Sequence, residues 1–331
     1  MPKFTNLHNV DIPILPYLSD KHFISGKQLS NQLGISRVAV WKQIQKLKQL
    51  GYHISSDSQK GYRMISNPDL LLPSEIHRNL HTGYIGQQVF YYPRVTSTNA
   101  FAKENLKDDN KKLKFQEGAV IVAEVQSEGR GRLGRSWYSP SGGIWLTIIL
   151  FPNLEPAYIS RITLMTAVAL VQSIKSLYRI SVQIKWPNDI LSGNQKVCGI
   201  LTEMIAESDR INHILVGIGV NANIKREYFP EDIREQSISL QEILGERISR
   251  IKLVQELLEN FERYYDRLQK KQFAPILEEW KENAHTLGKN VTIESGGQTI
   301  SGQAVDLTSE GALIIRKKDG EFVHVLSGTV W

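Results

Sequence analysis

The sequence contains little that could form covalent or metal cross-links. Its 331 residues include one cysteine, so an internal disulfide is excluded and a reducing compartment is favoured. That residue, Cys198, has apolar neighbours, which predicts a core position rather than a nucleophile. No paired His and Cys spacing indicates a zinc site. Neither a signal peptide nor an apolar run near the length of a membrane span is recognisable, so a cytoplasmic protein without a membrane partner is expected.

The formal net charge of +6 is concentrated at one end of the chain. Residues 1–65 contain nine Lys and Arg but only three Asp and Glu, and the two signs balance in the remainder. A small basic module attached to a neutral body predicts nucleic acid as the partner of the module. The length leaves room for two or three domains.

The basic region has the pattern of a winged helix-turn-helix. A helix with Leu29 and Leu33 four residues apart ends at Gly34, and Ser36 caps a second helix that begins at Arg37. This geometry is typical of major-groove binding, with a basic helical hairpin for protein contact as the alternative. The candidate DNA contacts are Gly26, Lys27, Gln28, Ser36, Arg37, Val38, Trp41, Lys42 and Gln45.

Two further features complete this module. Val40, Ile44 and Leu47 form an apolar stripe on the second helix, and residues 51–65 read as a hairpin wing. Prolines at positions 13 and 16 precede the motif, so the usual first helix must be short or begin late.

A glycine- and arginine-rich loop at residues 126–137 connects two apolar, strand-like runs. Glycine lets a backbone approach a ligand, and the arginine donor fork suits phosphate and carboxylate. Repulsion between three arginines predicts a loop that orders when an anion binds. The spacing is neither a Walker A loop nor a dinucleotide fingerprint, and a solvated basic turn is the alternative. The alternating residues are Gly129, Arg130, Gly131, Arg132, Gly134 and Arg135.

Two other stretches carry candidate ligand contacts. Ser97, Thr98 and Asn99 begin a helix, where they either hold a polar ligand or simply cap the helix. Lys185 lies near the end of an apolar strand that Pro187 stops, before a predicted turn at 188–189. A buried ammonium needs a partner, which favours a lysine that faces a ligand over one that reaches past the strand edge to water.

The remaining pattern predicts a mixed α/β body and a small β-domain. Helices are expected at 159–178, 249–269 and 274–283, antiparallel strands at 196–205 and 213–223, and polar connections at 108–118 and 224–245. From Gly288 the chain changes to short strands separated by glycine turns, which predicts a small β-barrel.

Taken in order, these motifs resemble those of the bacterial biotin–protein ligases, in the bifunctional form that also represses the biotin operon. The matching segments are Ser97–Asn99, Gly129–Trp137, Lys185–Asp189, Lys196–Glu203 and Gly217–Asn221. The resemblance implies a class II synthetase-like α/β (α+β) catalytic domain between a winged helix-turn-helix and an SH3-like β-barrel. The expected domains are 1–65, 66–283 and 284–331.

The resemblance also implies a role for each matching residue. Ser97, Thr98, Asn99 and Gln126 would contact biotin; Arg130, Gly131, Arg132 and Lys185 would hold its carboxylate; Arg132, Arg135, Trp137, Asn188 and Asn221 would contact ATP; Lys185 and Arg132 would be catalytic. Ala206 falls where a glycine can occur beside the biotin ring.

The implied reaction joins biotin and ATP to biotinyl-5′-AMP, with Mg²⁺ on the pyrophosphate rather than in a cage of protein side chains. Biotin then passes to a lysine of biotin carboxyl carrier protein. The adenylate would also induce a homodimer that binds operator DNA and represses transcription. Two alternatives stay open: a lipoate–protein ligase, which shares the catalytic fold, and a ligand-sensing repressor without catalysis.

Overall fold

The computed structural model describes residues 12–106, 113–152, 159–207 and 210–330, without the side chains of 206–207 and 210–212. Residues 108–112 of the polar connection expected at 108–118 therefore lie outside the described residues. Along the chain there follow an N-terminal helical module, a central sheet covered by helices, and a C-terminal sheet.

The N-terminal module has the predicted helix-turn-helix and wing. Helix α1 (Gly26–Leu33) begins at a capping box on Ser25 and ends at Gly34, whose φ of 64° suits glycine. Ser36 caps α2, as its sequence predicts, and the apolar stripe of α2 is buried. Among the described residues the first element is a 3₁₀ turn at Leu15–Tyr17, next to the prolines at 13 and 16. The other elements are α2 (Arg37–Gln49), β1 (His53–Asp57) and β2 (Gly61–Ser66).

The central sheet has seven strands in the order β3-β4-β5-β9-β8-β7-β6. Only β3 and β4 are parallel, and β8 and β9 are the antiparallel neighbours that their sequences predict. The strands are β3 (Val89–Tyr92), β4 (Ala119–Ala123), β5 (Ile144–Leu150), β6 (Gln183–Lys185), β7 (Asp189–Ser192), β8 (Gln195–Glu207) and β9 (Arg210–Val220).

Both faces of this sheet are covered, which explains why β4 and β5 are buried at every position and apolar at all positions but Thr147. Val120 and Val122 point toward α5 and α8, whereas Ile121 packs in a second cluster with α4. No helix in the described segments is long and apolar enough to cross a membrane. The helices are α3 (Pro73–His77), α4 (Thr98–Leu106), α5 (Ile159–Tyr178), α6 (Glu231–Arg234), α7 (Leu240–Leu244), α8 (Arg250–Gln269) and α9 (Phe273–Glu282).

The C-terminal region forms a five-stranded antiparallel sheet in the order β13-β12-β11-β10-β14. Its Ile293 and Ile315 belong to the same hydrophobic cluster as α5, so this sheet packs directly on the central body. The strands are β10 (Asn290–Ser295), β11 (Gln298–Leu307), β12 (Leu313–Arg316), β13 (Phe322–Val325) and β14 (Thr329–Val330).

Three sequence predictions differ from the structure in detail. Asp189 begins β7 instead of forming a turn, because the chain reverses over residues 186–188 and pairs back on β6. The connection at 224–245 contains α6 and α7, which are too short for a clear periodic pattern. The sequence predicts two short strands at 299–302 and 304–307, but both belong to one strand, β11, whose pairing is irregular near Ala304. Strand β14 is not among the predicted strands.

Candidate functional site

A cleft of about 630 Å³ lies over the central sheet. It is lined by the start of α4, the β4–β5 connection, the β6–β7 turn and the last strand of the C-terminal sheet. The residues predicted for the site that line it are Ser97, Thr98, Asn99, Gln126, Arg130, Gly131, Arg132, Arg135, Trp137, Lys185 and Asn188. The sequence thus predicted residues that folding brings together from three separate segments.

One end of the cleft carries a fixed hydrogen-bond network. The Oε1 atom of Gln126 accepts hydrogen bonds from the backbone N–H of Thr98 (2.8 Å) and from its hydroxyl (3.1 Å). Asn99 donates to Glu203 at 2.8 Å, and the Thr147 hydroxyl lies 2.6 Å from Asn99 Oδ1. These partners hold each amide in one orientation, as recognition of a small polar ligand requires. Glu203 and Thr147 had not been predicted as part of this network.

The glycine- and arginine-rich loop folds back on itself as a narrow hairpin. The N–H of Gly131 donates to Arg135 O at 2.7 Å, and that of Trp137 donates to Gly129 O at 2.8 Å. Its tip is Leu133, which has a φ of 56° and is 74% exposed. The prediction that this loop orders when an anion binds stays a prediction.

Glycines on β8 and β9 let two site residues lie directly on the sheet. A Cβ atom at Gly217 would lie 2.5 Å from Asn99 Oδ1, and one at Gly219 would lie 2.4 Å from Trp137 Nε1. Gly199 pairs with Gly219 across the two strands and lies under the same indole. Alternate glycines in a strand are the sequence signal for such a close approach.

The cleft collects positive charge around one carboxylate. Lys196 Nζ lies 2.7 Å from Asp189 Oδ1 and 4.9 Å from the centre of the Trp137 ring. Burial lowers the pKa of Lys185 below its ordinary value, and the neighbouring cations add to this while Asp189 opposes it. Burial also lowers the pKa of Arg132, again opposed by Asp189. Such a cluster is suited to bind an anionic ligand. Lys196 and Asp189 line the cleft but had not been predicted as contacts.

The C-terminal sheet contributes directly to the cleft. Arg132 Nη1 donates to Asn188 Oδ1 at 3.0 Å and to Gly328 O at 3.3 Å. Arg135 Nη2 lies 3.4 Å from the Thr329 hydroxyl. No local signal in the sequence indicates that strand β14 reaches this loop, because the two are almost 200 positions apart.

One of the predicted contacts lies outside the cleft. Asn221 is buried but does not line the cleft; its amide donates to Lys196 O at 3.2 Å, so it supports the strand that carries Lys196. The side chain of Ala206 lies outside the described residues.

The predicted DNA contacts lie on the accessible side of the N-terminal module. Val38 and Trp41 on α2 are 63% and 53% exposed, although the opposite stripe of α2 is fully buried. Ser36, Arg37 and Lys42 are exposed on the same helix, with Lys27 and Gln28 on α1, while Gly26 and Gln45 are half-buried. Large apolar side chains exposed beside basic ones are suited to contact base edges and phosphates.

Groups of three or more His, Cys, Asp or Glu side chains that could hold a metal ion are absent from the part of the chain that the structure describes. In the cleft, Asp189 is already paired with Lys196.

Comparison with known proteins follows the same three regions. Residues 91–221 match the biotin/lipoate A/B protein ligase family, 14–63 match a helix-turn-helix domain, and 286–330 match the biotin protein ligase C-terminal domain. The bifunctional ligase/repressor BirA of Bacillus subtilis is 39% identical over 90% of both chains. The Escherichia coli protein of that name is 29% identical, over 98% of this chain and 97% of its own.

A solved structure gives the same picture for the body. The biotin protein ligase from Aquifex aeolicus, in complex with biotin and ATP, superposes with a TM-score of 0.65 at 26% identity. The match covers 74% of this chain and 98% of that one.

Replacement of Gly219 by alanine should displace the Trp137 indole. The new Cβ would lie 2.4 Å from Nε1, so either the ring moves or the overpacking costs about 1–3 kcal/mol of folding free energy. Fluorine NMR of protein labelled with 5-fluorotryptophan checks this, with the Trp137 signal assigned from a Trp137→Phe variant. Gly83→Ala is the control, because its Cβ meets only one side-chain atom, at 3.7 Å. An unshifted Trp137 signal at unchanged stability would contradict the close packing.

Proposed function

Since the chain belongs to the biotin protein ligase family, in its bifunctional ligase/repressor form, we propose that it activates biotin with ATP and transfers it to a carrier-protein lysine. We further propose that the activated biotin turns the protein into a repressor. The observation that carries the ligase proposal is the cleft, where fixed amides and a cation cluster adjoin across the glycine-rich hairpin.

Biotin binds at the end of the cleft with the hydrogen-bond network. Ser97, Thr98, Asn99 and Gln126 contact its fused rings. Thr98 and Gln126 are already oriented by each other, and Asn99 is oriented by Glu203 and Thr147. The carboxylate of biotin then points to the cations, where Arg130, Gly131, Arg132 and Lys185 hold it.

ATP occupies the part of the cleft around Trp137. The indole supplies a flat surface for the adenine, and its buried Nε1 lacks a hydrogen-bond partner among the described residues. Arg132, Arg135 and Asn188 contact the phosphates. Arg132 is already oriented for this role, because its Nη1 atom donates to Asn188 Oδ1 at 3.0 Å. Lys196, which also lines the cleft, is proposed as a fourth contact to the phosphates. Asn221 acts on the nucleotide through the strand of Lys196 rather than by direct contact.

Activation joins two anions. An oxygen of the biotin carboxylate attacks the α-phosphorus of ATP, and the bond to pyrophosphate breaks. Negative charge grows on the α-phosphate, where Lys185 and Arg132 stabilise it more than in the ground state. Mg²⁺ carried on the nucleotide would neutralise the departing pyrophosphate.

Transfer requires that biotinyl-5′-AMP, which is a mixed anhydride, be protected from water. The Gly129–Trp137 hairpin covers it until the carrier protein docks. The acceptor lysine amine then attacks the biotin carbonyl carbon, AMP leaves, and an amide forms. Biotin carboxyl carrier protein is the acceptor in this proposal.

Repression uses the N-terminal module. Bound biotinyl-5′-AMP completes a homodimer surface, and two copies of α2 enter successive major grooves of operator DNA. We place the module at 1–65, the catalytic domain at 66–283 and the C-terminal domain at 284–331. Since DNA and a carrier protein are its proposed partners, we also propose that the protein works in the cytoplasm.

Biotin-dependent exchange between ATP and pyrophosphate tests the ligase proposal. Lys185→Ala and Arg132→Ala should each slow the exchange by roughly 10²–10³-fold, because each removes a cation from the growing charge. Lys317→Ala is the control, as Lys317 pairs with Glu321 and does not line the cleft.

Two other outcomes of this assay would each indicate a different function for the protein. Exchange that lipoate supports and biotin does not would indicate a lipoate ligase. Biotin binding without exchange in wild type would indicate a ligand-sensing repressor without catalysis.

The repressor proposal predicts a change in mass. In sedimentation experiments the wild-type protein should be a monomer alone and a dimer when biotin, ATP and magnesium are present. Arg132→Ala should stay monomeric under the same conditions, because it forms little adenylate. A wild-type protein that makes adenylate and stays monomeric at high concentration would contradict this part of the proposal.

A further inference from the structure

A buried guanidinium lies where the central body meets the connector from the N-terminal module. Arg250, the first residue of α8, is 3% exposed. Its Nη1 atom donates to Glu124 Oε2 at 2.9 Å and to Gly143 O at 2.8 Å. Its Nε atom donates to Asp69 Oδ2 at 2.9 Å, and its Nη2 atom donates to Asp69 O. One side chain therefore binds three segments that are distant in sequence.

Two of these segments are the ends of the ligand-binding connection. Glu124 directly follows β4, and Gly143 directly precedes β5. Between them lie Gln126 and the Gly129–Trp137 hairpin. Because a single Nη1 atom bonds both ends, it fixes how far apart they are and how the connection leaves the sheet.

The third segment is the connector from the DNA-binding module. Asp69 has a φ of 55°, and its carboxylate also accepts a hydrogen bond from the Arg250 backbone N–H. Leu71 N donates to Glu124 Oε1 at 3.1 Å. Leu70 and Leu72 pack in the core of the N-terminal module, whereas Leu71 packs in the core of the body. The connector is thus held between the two cores at the point where Arg250 binds it.

The geometry requires arginine. Only a planar fork with several donors can reach two carboxylates and two carbonyls at once, and a lysine ammonium has a single nitrogen for the same partners. Arg250 therefore does more than form a stabilising ion pair, because two of the four atoms that accept its hydrogen bonds are backbone carbonyl oxygens, and it fixes their positions.

Building on the proposed function, we propose that Arg250 is a positioning residue for biotin activation. It holds both ends of the 124–143 connection, and with them Gln126 and the hairpin, in the geometry that binds biotin. Through Asp69 it links that connection to the segment that carries the DNA-binding module.

The test compares variants of Arg250 and Glu124 with a matched control. Arg250→Met removes every hydrogen bond of the guanidinium, and Arg250→Lys keeps the charge. Glu124→Gln weakens the hydrogen bond between Arg250 and the start of the connection. Asn260→Ala is the control, because Asn260 is a buried polar residue of the same helix that bonds Ser173 on α5 and no part of the connection.

In the pyrophosphate exchange assay, Arg250→Met should raise the KM for biotin roughly 10-fold or more with a smaller change in kcat. Lys185 lies outside the connection, and Arg132 is also held by Asn188 and Gly328 O. Arg250→Lys should recover part of that loss, and Glu124→Gln should raise KM in the same direction. Asn260→Ala should keep the wild-type KM at a comparable loss of thermal stability.

Hydrogen exchange of the ligand-free protein separates this inference from the ligase proposal. Amides of Gln126 and Trp137, which bond within the connection, should exchange faster in Arg250→Met and Glu124→Gln than in Asn260→Ala. Absence of biotin-dependent exchange between ATP and pyrophosphate in the wild-type protein would reject the ligase proposal. Unchanged amide protection and unchanged KM in Glu124→Gln would overturn the role of Arg250, even if Arg250→Met failed to fold.

Discussion

Positive charge held in a partly buried cleft is the constraint on which this structure depends. Burial lowers the pKa of both Lys185 and Arg132, so keeping both side chains charged in the cleft costs free energy. Asp189 offsets part of that cost, and its ion pair with Lys196 keeps the cluster together before an anion arrives. A pre-formed cluster is also what the proposed reaction requires, because cations that are already in place need no reorganisation when charge develops on the α-phosphate.

The fold meets this constraint by bringing short segments to one side of a sheet that is covered on both faces. The hairpin that carries Arg132 would have few contacts of its own, yet it is held by Asn188 at the β6–β7 turn and by the carbonyl of Gly328 in the C-terminal sheet. The C-terminal sheet is therefore part of the site as well as part of the shared hydrophobic core. On the other side, Arg250 bonds both ends of the same connection.

Local patterns predicted the elements well where one periodicity persisted, as in α2, α5 and α8, and where a glycine or a proline marked an end. They indicated ligand contacts in the glycine- and arginine-rich loop and at Lys185, because glycine, arginine and lysine are unusual next to buried strands. The roles of Gln126, Trp137 and Asn188 came from the family resemblance. Partners that depend on distant contacts could not be predicted in this way. Thr329 reaches the hairpin only after the C-terminal sheet has packed, and Asp189 was assigned to a turn because its pairing with β8 is a tertiary effect. Asn221 was predicted as a contact, but its side chain supports the backbone of Lys196.

The most direct test of this account is to isolate the intermediate on the protein. Wild-type protein would be mixed with biotin, ATP and magnesium without any acceptor, passed through a desalting column, and analysed for bound nucleotide by mass spectrometry. The account predicts close to one biotinyl-5′-AMP per chain, which disappears with release of AMP when biotin carboxyl carrier protein is added. Recovery of protein that carries biotin and ATP separately, with no adenylate, would contradict the proposed activation chemistry.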